Sequence, residues 1–536
     1  MITVPGFPAS FLPPGIFMFA LYGGGSAATG ARQRKHILVG NSIQTALTDG
    51  GGASPAFTVA AGTRGTNTLT FVASPDDAKT YFGQGSELHR AAVAFFAQHP
   101  AGTLYAVAVP ETSGAGGARA SATVTFATNA TGSAIFRLYL AGELIEVSLS
   151  GSTASPVTPT AFALAVATAI CARPDLPVTA QSAAGVVTIT AKHMGIRGNA
   201  LEFAAEWVYG TTTTTITASA IASGTGMTGQ LSTAGGVLTA GAAGATAEDL
   251  TTALGTLETD QWWLACAPTD ATNLGVLDAW LDSQAGVLVQ YRNQAVVASR
   301  AALGTAAALA TARNNERLQL AWHYMSPTPD FEVAAQVLAA RSIGDSYAGG
   351  VLVGEESDPA ANLDGLRLKT VKAQRAAADA PTLTEQNTAM GSGLAPLVPM
   401  AGGTAALLAS VTTRSRDAGG QPNFAVLQTS IVTSIDYVAD EARRAFAADF
   451  AGFKLTADQD RPLQTDRTTT PKLVRAWLKA RLKEHEAVAI LRDVDALDSS
   501  LQVIEDTGTP GRLLAEIPAK VVSGLHQLAG NVRQAA

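Results

Sequence analysis

The chain is poor in charged residues. Only 15% of its 536 residues are Asp, Glu, Lys or Arg, whereas soluble domains usually carry about 25%. The formal net charge is −7, so the composition gives no reason to expect nucleic-acid binding. Hydrophobic residues make up an ordinary 47%. We expect a large chain with so few charges to cover much of its surface with partners.

Cysteines and long hydrophobic runs are also scarce. The two cysteines, Cys171 and Cys266, are far apart, which excludes a disulfide framework and predicts buried free thiols. No uninterrupted apolar run reaches the ~18 residues of a membrane span. The nearest run, residues 396–410, is broken by prolines and glycines, so we expect no direct membrane insertion. The N-terminus has no basic region ahead of its apolar part, so no signal peptide is predicted.

Local motifs for catalysis and metal binding are missing. None of the seven histidines lies in an HExxH pattern, and no serine lies in a G-x-S-x-G elbow. The GAGGAR stretch at 114–119 lacks the third glycine of a dinucleotide-binding turn, and the acidic loop 354–365 lacks the spacing of a calcium loop. We therefore predict no catalytic residue, no metal site and no cofactor. A triad assembled from distant residues stays possible at this level.

What is present is a regular alternation of helical and strand patterns between residues 247 and 353. Helices are predicted at 247–258, 269–283, 301–313 and 329–341, and strands at 261–267, 294–299 and 318–324. Such alternation predicts a parallel sheet with helices on its faces. Upstream, strands are predicted at 36–40 and 103–109, and helices at 74–82 and 87–99. The two strands are expected to join the same sheet.

Ligands of parallel sheets usually bind beyond the carboxyl ends of the strands. In this sequence those ends carry no carboxylate pair, no cysteine–histidine pair and no glycine-rich phosphate turn. The residues there are Pro268, Thr269, Ser299, Arg300, Met325 and Ser326. The core therefore has an enzyme-like pattern without an evident active site, and His323 is expected to be a buried core side chain.

Residues 120–227 show a different pattern. Apolar and polar residues alternate at 122–127, 134–140, 143–149 and 185–191, which is typical of half-buried antiparallel strands. One helix is predicted at 160–173, and five consecutive threonines occupy 211–215. These features predict a small β-rich domain inserted into the α/β domain.

The first 34 residues have the pattern of an extended arm. Prolines at positions 5, 8, 13 and 14 disfavour a helix. A strand-prone run follows, formed by Ile16, Phe17, Met18, Phe19, Ala20, Leu21 and Tyr22. Such a run can add to the sheet edge of a neighbour, or it can pack on its own domain.

The C-terminal part mixes both patterns. Residues 382–389 and 391–403 are predicted to be irregular, and 425–434 strand-like. Helices are predicted at 435–450 and 471–488, and strands at 501–507 and 513–517. A strand-prone start of the final segment is formed by Lys520, Val521 and Val522.

One helix carries four cations on a single stripe, which we name the cation strip. Its members are Lys472, Arg475, Lys479 and Lys483. Wheel spacing places Leu473, Val474, Trp477 and Leu478 on the other side. The strip is either a solvated helix face or a docking surface for an acidic protein.

Several segments together resemble contractile phage tail sheath proteins of the Mu-like type. They are PGIF at 14–17, HILVG at 36–40, ARNNERLQLAWHYMSPTPDFEVAA at 312–335, TTTPKLVRAWLKARLKEHEAV at 468–488 and EIPAKVVSGLHQLAGNVRQ at 516–534. The β-rich segment GVVTITAKHMGIRGNALEF at 185–203 is also similar to inserts of such sheaths. The resemblance covers most of the chain.

This resemblance implies a structural protein, not an enzyme. It implies a subtilisin-like α/β core without proteolytic activity, an inserted β-rich domain and an α+β C-terminal domain. Sheath subunits form hexameric rings that stack helically around a tail tube protein, and they meet baseplate and tail terminator proteins. The expected location is the virion tail, with assembly in the host cytoplasm. Neither nucleic acid nor a cofactor is an expected partner.

The resemblance also assigns roles to segments. The expected divisions are an arm at 1–34, the first part of the core at 35–112, the insert at 113–233, the second part of the core at 234–404, a polymerisation domain at 405–516 and a second arm at 517–536. The segments 14–23 and 517–528 are expected to add strands to neighbouring C-terminal domains, and the cation strip is expected to face the tube.

Two other functions fit the residues alone. One is an α/β hydrolase-like enzyme with an inserted β domain, which should show a pocket with a nucleophile–base pair. The other is another self-assembling or adhesive surface protein, and an adhesin should carry a secretion signal.

Overall fold

A computed structural model describes residues 35–48, 55–126, 132–152, 154–209, 222–223, 227–228, 233–258, 260–344, 363–458 and 467–522. The predicted arm strand, Ile16 to Tyr22, the threonine run 211–215 and most of the acidic loop 354–365 lie outside these residues. No helix of the described part combines the length and the hydropathy that crossing a membrane requires.

Strands and helices are numbered along the chain. The strands are β1 (Lys35–Asn41), β2 (Leu47–Thr48), β3 (Thr58–Val59), β4 (Thr70–Val72), β5 (Leu104–Val109), β6 (Arg119–Thr125), β7 (Gly132–Leu140), β8 (Glu143–Gly151), β9 (Val178–Ala183), β10 (Val186–Met194), β11 (Glu202–Tyr209), β12 (Ala222–Ser223), β13 (Met227–Thr228), β14 (Thr233–Val237), β15 (Trp262–Cys266), β16 (Gln294–Ser299), β17 (Leu318–Trp322), β18 (Leu366–Lys372), β19 (Leu394–Pro399), β20 (Thr404–Leu407), β21 (Lys454–Leu455), β22 (Thr468–Thr469), β23 (Gln502–Glu505) and β24 (Leu513–Glu516). The α-helices are α1 (Pro75–Phe82), α2 (Glu87–Gln98), α3 (Pro159–Cys171), α4 (Thr251–Gly255), α5 (Ala271–Ala285), α6 (Leu303–Arg313), α7 (Asp330–Gly344), α8 (Leu383–Gly391), α9 (Thr429–Asp449) and α10 (Pro471–Ala487).

The core is a nine-stranded sheet in the order β18-β20-β19-β17-β16-β15-β1-β5-β4. The six strands from β19 to β5 in this order run parallel. The strand β4 and the strand β20 run antiparallel to their neighbours. The predicted α/β core is thus confirmed, and its sheet is mixed, because antiparallel pairs at both edges extend the predicted parallel strands. The upstream strands β1 and β5 join it as expected.

Helices cover both faces of this sheet because its central strands are apolar on both sides. Every residue of β15, β16 and β17 is buried. The helices α2 and α7 pack on one face, and α4, α5 and α6 pack on the other. Caps fix several starts: Ser74 caps α1 ahead of Pro75, and Asp270 accepts the backbone N–H groups of Thr272 and Asn273 at α5.

Among the described residues β18 ends the large sheet, and two glutamine side chains bind its backbone. Gln336 Oε1 accepts the N–H groups of Thr370 and Val371 at 3.0 and 3.1 Å. Gln98 accepts the Lys369 N–H at 3.1 Å and donates to the Arg367 carbonyl. The β18–β20 register shifts between Leu368 and Lys372, and these amides satisfy backbone groups of β18 beside and within that interruption.

Residues 119–237 form two further sheets with a core of their own. The sheets have the orders β12-β6-β10-β9 and β13-β14-β11-β7-β8. The helix α3 packs between strands through Phe162 and Ile170, which join Phe136 and Phe203 in one buried cluster. The alternating strands predicted in this region are confirmed in β6, β7, β8 and β10.

Three local predictions are wrong. The helix predicted at 247–258 is short and spans Thr251–Gly255. The segment 425–434 is not a strand, because α9 begins at Thr429 and its β-branched residues pack against the body of the protein. The supposedly irregular segments contain α8, which starts with a capping box between Thr382 and Glu385, and the strand β19.

Candidate subunit interface

A cavity of about 870 Å³ lies at the carboxyl edge of the parallel strands. Thr269, Ser299 and Arg300 line it, as the sequence predicts for this edge. Its strongest charges neutralise one another: the buried Arg197 guanidinium lies 2.8 Å from Glu87 Oε2 and 2.7 Å from Glu248 Oε1. The cavity is therefore closed on one side by an ion-pair network that joins the residues after β10 to the core.

Among the residues that the structure describes, no nucleophile–base pair is seen at this edge. His323 is fully buried, as predicted, and its Nε2 lies 2.8 Å from Asp330 Oδ1. The nearby Ser326 hydroxyl donates to the Lys372 carbonyl at 2.7 Å, so its proton points away from the imidazole. Within the described ranges no group of three or more His, Cys, Asp or Glu could hold a metal ion.

Glu248 is a titratable group of this network. Burial raises the pKa of its carboxyl to about 7; Arg197 opposes the rise, and the Glu87 carboxylate adds to it. Because two carboxylates share one guanidinium, the second negative charge is incompletely compensated.

This pKa shift predicts a pH dependence of stability. Between pH 4.5 and pH 7 the folded state holds a proton on Glu248 that the unfolded state has released, so stability falls as pH rises through this window. We expect Glu248→Gln to remove this part of the decline. The urea midpoints of the wild type and of Glu248→Gln at pH 5 and pH 7.5 measure this decline. A decline of equal size in the two proteins would contradict the prediction.

The described C-terminal part ends in a two-stranded hairpin. The strands β23 and β24 pair antiparallel with Val503 opposite Ala515 and Ile504 opposite Leu514. Asp506 donates its N–H to the Arg512 carbonyl next to the turn. Alternation from this pair turns the N–H groups of Leu513 and Ala515 away from β23. Neither N–H has a hydrogen-bond acceptor within the described residues, so the outer edge of β24 is open as far as these residues are concerned.

Beyond β24 the chain stays extended and keeps its alternation. Leu513, Ala515, Ile517 and Ala519 all pack against one cluster. Val521 continues the same side and is buried against α9. Lys520 and Val522, the other two residues of the predicted exchange strand, are exposed. We call residues 517–522 the terminal segment.

The terminal segment pairs with its own chain in this structure. The Arg492 N–H donates to the Lys520 carbonyl at 2.9 Å, and the Val522 N–H donates to the Ile490 carbonyl at 3.3 Å. A single antiparallel bridge joins Leu491 to Val521. This contact is short, because it comprises one bridge, whereas the β23–β24 ladder comprises four residue pairs.

The predicted basic helix is confirmed as α10, capped by Thr470 with Pro471 in its first turn. Val474, Leu478, Leu482 and His485 form its buried side. Leu473, predicted on that side, is instead 49% exposed.

The cations of the strip are largely paired. Arg475 and Lys479 contact Asp498 Oδ1 at 3.1 and 3.2 Å. Lys483 lies 2.5 Å from Asp495 Oδ2. Lys472 has no carboxylate within ion-pair distance in the described part of the chain. The acidic partners were not predicted, because they lie on a loop that follows the helix. Asp495 is 12 residues beyond Lys483, and Asp498 is 23 residues beyond Arg475.

A buried ion pair holds the C-terminal part on the core. Asp436 of α9 is 1% exposed and accepts two hydrogen bonds of 2.9 Å from the Arg317 guanidinium. Arg292 approaches the same carboxylate at 3.5 Å. Arg317 directly precedes β17 and Arg292 lies two residues before β16, both at the amino end of the sheet. The geometry fixes α9 against the core and was not predicted from the sequence.

Three comparisons place the chain among known proteins. Residues 421–535 match the family described as phage tail sheath C-terminal domain. The Mu-like prophage FluMu tail sheath protein of Haemophilus influenzae is 26% identical over 438 residues, which are 81% of this chain and 82% of that protein.

Two solved structures were also found. The sheath tail protein of Desulfitobacterium hafniense is 13% identical, with a TM-score of 0.43, over 93% of this chain and 96% of that one. The helical sheath of the anti-feeding prophage in its contracted state is 9% identical, with a TM-score of 0.43, over 100% of both chains. The family match and the relative in sequence confirm what the residues indicate: the chain resembles contractile phage tail sheath proteins, and residues 421–535 match the family of their C-terminal domain.

Proposed function

We propose that this chain is a structural subunit of a contractile tail sheath. It polymerises around a tail tube and contracts to drive the tube through the host envelope. The sheath C-terminal domain and the 26% identity to a tail sheath protein over 81% of the chain support this function. Within the described residues, the enzyme-like edge of the core carries ion pairs in place of a nucleophile–base pair, which fits a structural role.

The observation that carries the proposal is the open edge of the β23–β24 hairpin. A two-stranded ribbon whose N–H groups at Leu513 and Ala515 have no acceptor in the described part of the chain can receive an added strand. We propose that Ile16 to Tyr22 of a neighbouring subunit supply that strand. The terminal segment, including Lys520, Val521 and Val522, would form the second link by pairing with another neighbour.

Links of this kind suit a contractile polymer. Backbone ladders hold subunits together while the connections around them rotate, so the subunits reorient without separating. Repacking of their low-charge faces could then release roughly a few kcal/mol per subunit, which is the size of ordinary two-state gaps. Summed over many subunits, this free energy would move the tube.

The remaining parts of the proposal concern partners and place. Subunits would form hexameric rings stacked helically, with α10 toward the tail tube protein and with baseplate and tail terminator proteins at the ends. The core would be a subtilisin-like lever that carries no proteolytic site. The particle would be the virion tail, assembled in the host cytoplasm.

Negative-stain electron microscopy of the purified full-length protein tests the function. We expect hollow tubes with regular cross-striations, because the subunit carries both a strand-prone arm and an open hairpin. A protein that stays monomeric at every concentration and hydrolyses ester or peptide substrates would overturn the proposal in favour of the hydrolase-like alternative.

A further inference from the structure

The cation strip is screened by one short loop, residues 493–498, which we name the counter-ion loop. Its Asp495 carboxylate lies 3.4 Å from Lys479 Nζ and contacts Lys483, while Asp498 contacts Arg475 and Lys479. Arg475 also donates to the Asp498 and Leu501 carbonyls at 2.6 and 2.8 Å. Three of the four cations are thus occupied by two carboxylates of the same subunit.

The counter-ion loop is held at its other end by the terminal segment. Lys520 Nζ lies 2.6 Å from Asp493 Oδ2. The backbone on either side of this pair is joined by the bridge between Leu491 and Val521. The terminal segment, the counter-ion loop and α10 are therefore linked by a continuous series of contacts.

The loop conformation depends on these contacts. Ala489 and Asp493 have φ angles of 57° and 59°, which residues other than glycine adopt rarely. Between α10 and the loop, Glu486 accepts the Val494 N–H at 3.0 Å, and Val494 is buried. A segment held in uncommon backbone angles needs its surroundings to keep that shape, so loss of the terminal segment should loosen the loop.

We propose that the counter-ion loop keeps the cation strip closed until the terminal segment leaves, so that strand exchange and binding of an acidic protein surface are coupled. The partner follows from the chemistry, since a surface that replaces Asp495 and Asp498 must offer carboxylates at similar spacing. The biological role of this partner rests on the proposed sheath function. The screening itself does not.

The physical basis is competition within one molecule. A carboxylate tethered beside the strip is present at high effective concentration, so an external acidic surface binds only the fraction of molecules in which the loop has opened. The apparent affinity falls by that fraction. Opening the loop should raise the affinity for an acidic partner without any change in the strip.

The test uses the full-length chain, kept unassembled at low concentration, and immobilised poly-L-glutamate as the probe. We expect Asp495→Asn/Asp498→Asn to bind about 3- to 10-fold more tightly than the wild type and to depend more steeply on salt, because freed cations release more counter-ions and are screened by salt. The matched control is Asp76→Asn/Glu258→Gln, which removes two exposed carboxylates that have no ion-pair partner in the described residues. Equal gains in both variants would overturn the screening.

Lysine acylation followed by mass spectrometry gives a second readout. Hydrogen bonds that Lys483 donates to the Asp495 and Glu486 carboxylates raise its pKa, so its amine should react more slowly than that of Lys472 on the same helix. In Asp495→Asn/Asp498→Asn the rate of Lys479 should approach that of Lys472, and the rate of Lys483, which keeps Glu486 at 2.7 Å, should increase less. Unchanged rates would overturn the screening whatever the binding result.

Coupling to the terminal segment is tested by Asp493→Asn, which removes the partner of Lys520. We expect acylation of Lys479 and Lys483 to increase about 2-fold or more, and no change would overturn the coupling. These readouts need no assembly. If binding and acylation change as expected while the protein forms no tubes, the sheath function is contradicted and the coupling is supported. If tubes form while binding and acylation stay unchanged, the coupling is contradicted and the sheath function is supported.

Discussion

Removal of residues 1–23 is expected to leave a folded monomer that forms no tubes. The deletion takes away the strand-prone run from Ile16 to Tyr22, while the described fold begins at Lys35 with β1. The open edge of β24 would then have no strand to receive. Sedimentation and electron microscopy measure assembly, and the melting temperature and circular dichroism should match those of the full-length protein.

The receiving edge can be tested without deleting anything. Ala515→Pro removes an N–H that points away from β23, so the hairpin keeps its own hydrogen bonds while strand addition is blocked. Ala515→Ser keeps the N–H at nearly the same size and serves as the matched control. Tubes from the truncated protein at wild-type concentrations, or from Ala515→Pro at wild-type yield, would show that the arm does not pair with this edge.

Asp436→Ala is expected to lower the free energy of unfolding by about 3–5 kcal/mol. The substitution leaves two buried guanidinium groups, those of Arg317 and Arg292, without their carboxylate, and breaking a buried pair on one side costs about this much. The helix α9 should lose its fixed position on the core. Urea denaturation followed by tryptophan fluorescence measures the loss, and limited proteolysis should show early cleavage near α9.

A surface carboxylate on the same helix provides the comparison. Asp449 is 44% exposed and lies 3.4 Å from Arg481, so Asp449→Asn should cost less than about 1 kcal/mol. If the two substitutions destabilised the protein equally, the buried pair would not hold the C-terminal part on the core.

The sequence predicts best the elements whose pattern and burial agree. The strand Gln294–Ser299 was predicted to the residue, because it is β-branched, short and buried on both sides. The prediction for the segment around Ile431 and Val432 failed for the opposite reason, since a β-branched composition was overridden by helical packing against the core. The capping box at Thr382 and Glu385 was readable in the sequence and was missed.

Partnerships between distant residues could not be read in the same way. Helical spacing alone gathers Lys479 and Lys483 on one side of α10, so the strip was predictable. Its carboxylates come from a loop whose path depends on tertiary contacts, and Asp436 finds Arg317 across 119 residues. A wheel diagram therefore shows a cationic face where the folded molecule shows a nearly balanced one.

The glutamine amides that bind β18 have a consequence for how closely such subunits can pack. A filament that shortens brings the sheet edges of many subunits close together. An edge with free backbone groups could then pair with the wrong neighbour and block the movement. Gln98 and Gln336 bind four backbone groups of β18 from within the same chain, so these groups are not available to a copy. Strand pairing between subunits is then favoured at the β23–β24 ribbon, where the link can persist while the subunits reorient.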